Sequence, residues 1–230
     1  MMIYQLSVYL SFREEHMIKT AAVSCLLLAT QAWAGNPPFD ITQSTDNSTI
    51  TPLNSAECPG DDDRYLRRFD LDVDHDLLAT LSVSEVRFAV EEATAMTLTI
   101  NLYEIANQDP LLMANMNLIG TANLDVSAAD DLSAISTPIA GVIDSGFSDL
   151  VVEVVAPDNT QASTFFIGSN AMGQSAPSYL LSAACNYPEP TDLATTNYPD
   201  MHIIMSVSGE LTGPPDLIFS DGFESTASGQ

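Results

Sequence analysis

Beyond Ala34 the chain contains no lysine and no tryptophan, and only two of its three cysteines remain. The single lysine, Lys19, and the single tryptophan, Trp33, both lie near the N-terminus. Past them the only permanent cations are Arg64, Arg67, Arg68 and Arg87, set against 29 of the 31 acidic residues. A net charge of −25 repels phosphate backbones and anionic headgroups, so nucleic acid and membrane surfaces are excluded as partners. No apolar run approaches the roughly 20 residues that a spanning helix needs, so membrane insertion is not expected. Also missing are a glycine-rich phosphate loop, a His-Glu-x-x-His zinc motif and a Gly-x-Ser-x-Gly elbow; Gly146-Phe147-Ser148-Asp149-Leu150 lacks the second glycine.

What is present near the start reads as an export signal. Met17-Ile18-Lys19, an apolar stretch over 21–29 and Gln31-Ala32-Trp33-Ala34 follow one another as a charged, an apolar and a small-x-small region. Residues 1–34 are thus an extended N-terminus plus signal peptide (the signal proper 17–34), and the protein is expected in the periplasm or outside the cell. Cys58 and Cys185, left alone in an oxidising compartment, are expected to form a structural disulfide. Closing so long a loop contributes on the order of 4–5 kcal/mol in the chain-entropy view. Neither cysteine has a second cysteine or a histidine at metal-ligand spacing.

Residues 35–57, rich in Asn, Pro, Thr and Ser, read as an extended entry segment. Period-two alternation then predicts strands. The first is read over 70–77, where Leu71, Val73, His75 and Leu77 interleave with Asp70, Asp72, Asp74 and Asp76. Others follow over 83–90, 96–103, 117–122, 133–139, 150–155, 163–167, 179–183 and 202–208, with one short helix over 128–132. Short strands parted by turn clusters such as Asn107-Gln108-Asp109-Pro110 predict an all-β domain over 58–211, an antiparallel two-sheet sandwich of jelly-roll type. The stretch from Cys185 to Met201 reads as a long connection without secondary structure of its own. Residues 212–230 read as a Pro/Gly linker and tail.

Two stretches carry a resemblance. One runs from Phe165-Phe166-Ile167-Gly168-Ser169-Asn170 through Gly173-Gln174-Ser175-Ala176-Pro177-Ser178-Tyr179 to Cys185, with Asn197-Tyr198-Pro199-Asp200-Met201-His202 beyond. The other is the tail Ile218-Phe219-Ser220-Asp221-Gly222-Phe223-Glu224-Ser225. Together they resemble exported bacterial β-sandwich modules that end in an Ile-Phe-x-Asp-Gly-Phe-Glu segment. The resemblance implies a single sandwich and no catalytic residues to carry over.

For chemistry, Asp61, Asp62 and Asp63 form the strongest metal candidate, because a turn can wrap carboxylates around calcium. An EF-hand at Asp70 fails, with His75 where glycine belongs and Leu81 in place of the bidentate glutamate. His75 and His202 are the only bases beyond the signal, and neither stands in a hydrolase motif. Aromatic contact with a sugar would fall to Tyr179, Tyr187, Tyr198 or Phe147. The sequence therefore points to a non-enzymatic binding module for carbohydrate or another extracellular polymer, with Tyr187 and Tyr198 on loops at one end. It requires no cofactor, and calcium is the one candidate ion. A structural or cell-surface assembly protein with an addressing tail is the alternative, and a small hydrolase the outsider.

Overall fold

A computed structural model describes residues 36–158 and 163–212. The export signal and the tail beyond Thr212 lie outside the described residues. In chain order the strands are β1 (Pro38–Thr42), β2 (Asp63–Phe69), β3 (Thr80–Ala93), β4 (Met96–Ala106), β5 (Asn117–Val126), β6 (Ser133–Asp144), β7 (Ser148–Ala156), β8 (Phe165–Ile167), β9 (Ser169–Asn170), β10 (Ser178–Ser182), β11 (Tyr187–Asp192), β12 (His202–Ile203) and β13 (Met205–Thr212). One sheet runs β1-β13-β3-β6, with β8 also on β3, and the other runs β11-β10-β2-β7-β4-β5. Every pairing is antiparallel. The chain crosses repeatedly between the two sheets, as a jelly-roll connection does, so the expected all-β sandwich is what forms.

The alternation read in the sequence explains most of it. On β4, Leu98, Ile100 and Leu102 are buried, while Thr97 and Thr99 face out and bond across the ladder to Asp125 and Asn123. Between the sheets, Phe69, Phe88, Phe165, Leu98 and Val152 belong to one continuous core. Each fully buried large side chain there contributes about 1.5–3 kcal/mol. A smaller cluster of Leu66, Ile105, Met116 and Val151 lies apart from it, with Tyr103, Tyr179 and Leu181 packed against it. β5 and β6 approach closely: a Cβ on Gly120 would run into the Ala140 carbonyl.

Three expectations need correction. Residues 70–77 are not a strand. Asp74 N–H donates to the Asp70 carbonyl, Asp76 N–H to that of Asp72 and Leu77 N–H to that of Leu71, while Asp70 Oδ1 accepts from Val73 N–H. Aspartate side chains that satisfy nearby amides favour turns over ladders, and Val73, assigned to the buried face, is 78% exposed. The neighbouring segment, which gave no strand signal, is β2, an inner strand of the six-stranded sheet. The stretch from Cys185 to Met201 contains strand β11, whose Pro188 and Pro190 remove two amides from an exposed sheet edge. Of the residues read as an entry segment, Pro38–Thr42 form β1, which pairs with β13.

β2 carries three arginines, a residue type that is mostly exposed, and shows no period-two alternation. Arg67 is instead wholly buried. Its Nε and Nη2 donate to the Ile203 carbonyl (3.1 and 2.7 Å), and its Nη1 to Gln174 Oε1 and the Ala176 carbonyl (both 2.8 Å). Nη2 also reaches Ser44 Oγ at 3.3 Å. Burial pulls the guanidinium down to about 9. In a chain this acidic the innermost cation is held by neutral oxygens.

Candidate functional site

The Cys58–Cys185 disulfide forms as expected, with Cα atoms 5.6 Å apart and 127 positions between the two residues. It fastens the approach to β2 to the end of β10. Beside it sit the three metal candidates, and each has a backbone partner. Asp61 Oδ2 accepts from Ala183 N–H (3.2 Å) and Asp61 Oδ1 from Asp62 N–H (2.9 Å). Asp62 Oδ1 accepts from Asp158 N–H (3.1 Å) and Asp63 Oδ2 from Cys58 N–H (2.8 Å). Asp63 is not in the turn at all: it opens β2 and is buried. That burial, with Glu57 and Asp61 nearby, raises its carboxyl to about 6 against the lowering pull of the Cys58 amide. Among the described residues no three His, Cys, Asp or Glu side chains converge as a metal site requires.

The tyrosines are not brought together. Tyr187 packs against the main core. Tyr198 lines a depression of about 240 Å³ with Leu53, Asn54, Asp200 and Met201. Tyr179 lines a larger cavity of about 430 Å³ at the far end of β2 from the disulfide. The histidines are also apart. His75 lies 6.0 Å from the Phe69 ring, and His202 Nδ1 accepts from Gly173 N–H at 3.0 Å. Among the described residues no hydrogen bond joins either histidine to a serine hydroxyl, so no triad is assembled.

The larger cavity is the candidate site. Its walls come from the end of β2 (Arg68), the 70–79 turns (Asp70, Asp74), the β4–β5 loop (Asn107, Asp109), β7 (Asp149) and β10 (Tyr179). Arg68 organises them. Its Nε and Nη2 both lie 2.7 Å from Asp149 Oδ2. Nη1 donates to the Asp109 carbonyl at 2.7 Å, and Nη2 to the carbonyls of Asn107 and Ala106 at 3.0 and 3.3 Å. One guanidinium thus clips the β4–β5 loop to β7, and all three of its nitrogens are engaged.

Asp149 is only 2% exposed. Desolvation raises its carboxyl above the ordinary range, Arg68 opposes that, and the charges of Asp70 and Asp74 add to the rise. Its Oδ1 and Asn107 Oδ1 are buried acceptors without a hydrogen-bond partner among the described residues. Such groups cost free energy until a donor reaches them. Beside the wall stands Phe147, whose carbonyl accepts from Asn107 N–H and which is 76% exposed. Val73 is equally exposed in the turns that carry Asp74. Sequence reading missed Arg68 and Asp149, which are 81 positions apart and bear no motif; of the aromatics it named, Tyr179 lines the cavity.

No protein-family profile matches the chain, and no curated protein matches it. A solved structure described as that of the infectious bursal disease virus Gx strain aligns over 76% of this chain at 13% identity, with a TM-score of 0.27. This chain spans 36% of that one's length. No helix among the described residues is long and apolar enough to cross a membrane, and the disulfide is compatible with an extracellular location.

Proposed function

We propose that this is an exported, non-enzymatic binding module whose ligand is a polyhydroxylated extracellular polymer, bound in the Arg68–Asp149 cavity. The observation that carries the reading is the imbalance of the walls. Asp70, Asp74 and Asp109 line them with carboxylates, and the one strong donor, Arg68, is already engaged. A sugar supplies what is missing, because each hydroxyl donates one hydrogen bond while its ring carbons pack on an aromatic face. Tyr179 lines the cavity and can offer such a face, and Phe147 is exposed in the neighbouring turn, its carbonyl bonded to the Asn107 N–H. The export signal read in the sequence and the disulfide support an encounter outside the cell, and the reading calls for no calcium.

The test is a glycan and cell-wall polysaccharide array probed with the purified full chain, in calcium and again in EDTA. Retention of a polysaccharide in both conditions, weakened about fivefold in Phe147→Ala and lost in Asp149→Asn, is the expected result. Silence across the array, or retention indifferent to both substitutions, overturns the proposal. Retention abolished by EDTA would transfer the site to a calcium ion and away from this cavity.

A further inference from the structure

β13 ends beside the start of β3. Its last residue, Thr212, pairs with Thr80, and the Thr212 hydroxyl donates to the Thr80 carbonyl at 3.1 Å. Because the two strands are antiparallel, a chain leaving Thr212 is directed along the residues that precede β3. Those residues are the 70–79 turns, and they hold two large apolar side chains in the open, Val73 at 78% and Leu78 at 66% exposure. Single exposed apolar residues are ordinary on a protein surface. These two share one segment that is fixed on both sides. Between them Leu77 N–H donates to the carbonyl of the wholly buried Leu71 at 2.8 Å. Next to Leu78, Ala79 N–H donates to Ser145 Oγ at 2.8 Å, and the Ala79 carbonyl accepts from Ser145 N–H at 3.2 Å.

The sequence sets what arrives there. Gly213-Pro214-Pro215-Asp216 is followed by Leu217-Ile218-Phe219, the one run of three large apolar residues beyond Thr212. Five peptide steps separate Thr212 from Leu217, a reach of at most about 17 Å. Consecutive prolines hold such a linker extended, at about 3.1 Å per residue. Leu78 is two residues from Thr80, so its Cα lies within roughly 13 Å of that of Thr212. The linker is long enough to set the apolar run on Leu78. Charge does not draw the two together, since Asp216, Asp221 and Glu224 would meet Asp72, Asp74 and Asp76. The contact is therefore apolar, and salt should favour it by screening the repulsion.

We propose that Leu217-Ile218-Phe219 docks on Val73 and Leu78 of its own chain and straps the tail across the 70–79 turns. The occupant is this segment because it is the apolar run that the end of β13 delivers to that place. The contact is independent of what the cavity binds.

The experiment is paramagnetic relaxation enhancement on the full chain. With Cys25→Ser, and with Cys58 and Cys185 in the disulfide, Ser220→Cys gives a single free thiol for a nitroxide. The label should broaden the amide signals of residues 72–79, and more so at about 1 M salt than at 0.05 M. Adding Leu217→Ser/Ile218→Ser/Phe219→Ser should reduce that broadening severalfold, and so should Val73→Ser/Leu78→Ser on the docking side. Both side chains of the latter pair are exposed, so its denaturant melt should stay unchanged. Broadening indifferent to both sets of substitutions overturns the proposal, because a tail merely tethered at Thr212 would give it. Broadening lost in the tail variant but kept in Val73→Ser/Leu78→Ser sends the run to another surface and overturns it too. Broadening that arises only between a nitroxide-bearing chain and a separate isotope-labelled one assigns the occupant to a second copy and overturns docking within the chain.

Discussion

Aspartates crowd both ends of strand β2, and the two ends use them in opposite ways. At the Asp63 end, Asp61, Asp62 and Asp63 each accept a backbone N–H and hold the loops around the disulfide. At the Arg68 end, roughly 20 Å away by strand geometry, aspartates surround an open space and Asp149 keeps an oxygen unpaired. The amino-acid types are the same. One oxygen of Asp63 and one of Asp149 are both left without a hydrogen-bond partner among the described residues. What differs is the surroundings: the first set is tied to loop and strand amides around the disulfide, and the second borders an open cavity.

Breaking the first end should cost the most stability. Cys58→Ser/Cys185→Ser opens a 127-position loop and should lower the unfolding free energy by about 4–5 kcal/mol, read by denaturant melts. Ligand affinity at the other end should be unchanged wherever the variant is still folded. Arg68→Met attacks the second end. It leaves the buried Asp149 carboxylate without a counter-charge and the 106–109 carbonyls without their donor. The arginine is partly exposed, so the loss should be about 3 kcal/mol, at the lower limit for breaking a buried pair. Here stability and ligand binding should fall together, and a variant that binds normally would detach the cavity from the ligand.

How much of this contrast was legible beforehand follows from which signals are local. Strands such as β4, with Leu98, Ile100 and Leu102 in step, are visible because one face is dry and the other wet. β2 was invisible because Arg67 is dry, which depends on carbonyls at Ala176 and Ile203 more than 100 positions away. The 70–77 stretch misled for the complementary reason: its aspartates alternate with apolar residues but bond to their own neighbours. The disulfide was legible from cysteine number alone. The cavity was not, since its lining comes from four separated stretches of chain, of which Arg68 ties its own to β7 and the β4–β5 loop.

The pH response sharpens the comparison further. Asp63 titrates at about 6 when folded and has an ordinary value of 3.8, so the folded state holds this proton more tightly. Its contribution is fully present below about pH 3.8 and is lost as pH rises through 6. Asp149 and Glu91, raised chiefly by burial, act in the same direction. The protein should therefore melt higher at pH 4.5 than at pH 7.5. A shift of two units corresponds to about 3 kcal/mol at most, and solvent relaxation should leave about 2. Asp63→Asn retains an acceptor for the Cys58 amide and carries no charge, so it should stabilise the protein at pH 7.5 and flatten the profile. A variant that keeps the full pH dependence would move the effect to the other two carboxylates.

The smallest effect on stability should come from Phe147→Ala. The side chain is largely exposed in the turn between β6 and β7, and the turn is held by backbone contacts that alanine keeps, Phe147 N–H to the Asp144 carbonyl and Asn107 N–H to that of Phe147. Unfolding should change by less than about 0.5 kcal/mol. An aromatic face on a sugar ring contributes on the order of 1 kcal/mol, so affinity for the retained polysaccharide should fall about fivefold. The same substitution placed at Tyr187, which packs against the core, should reverse the balance, with a clear loss of stability and no effect on ligand beyond it. If both substitutions behaved alike, the exposed ring beside the cavity would have no more to do with binding than the packed one beyond it.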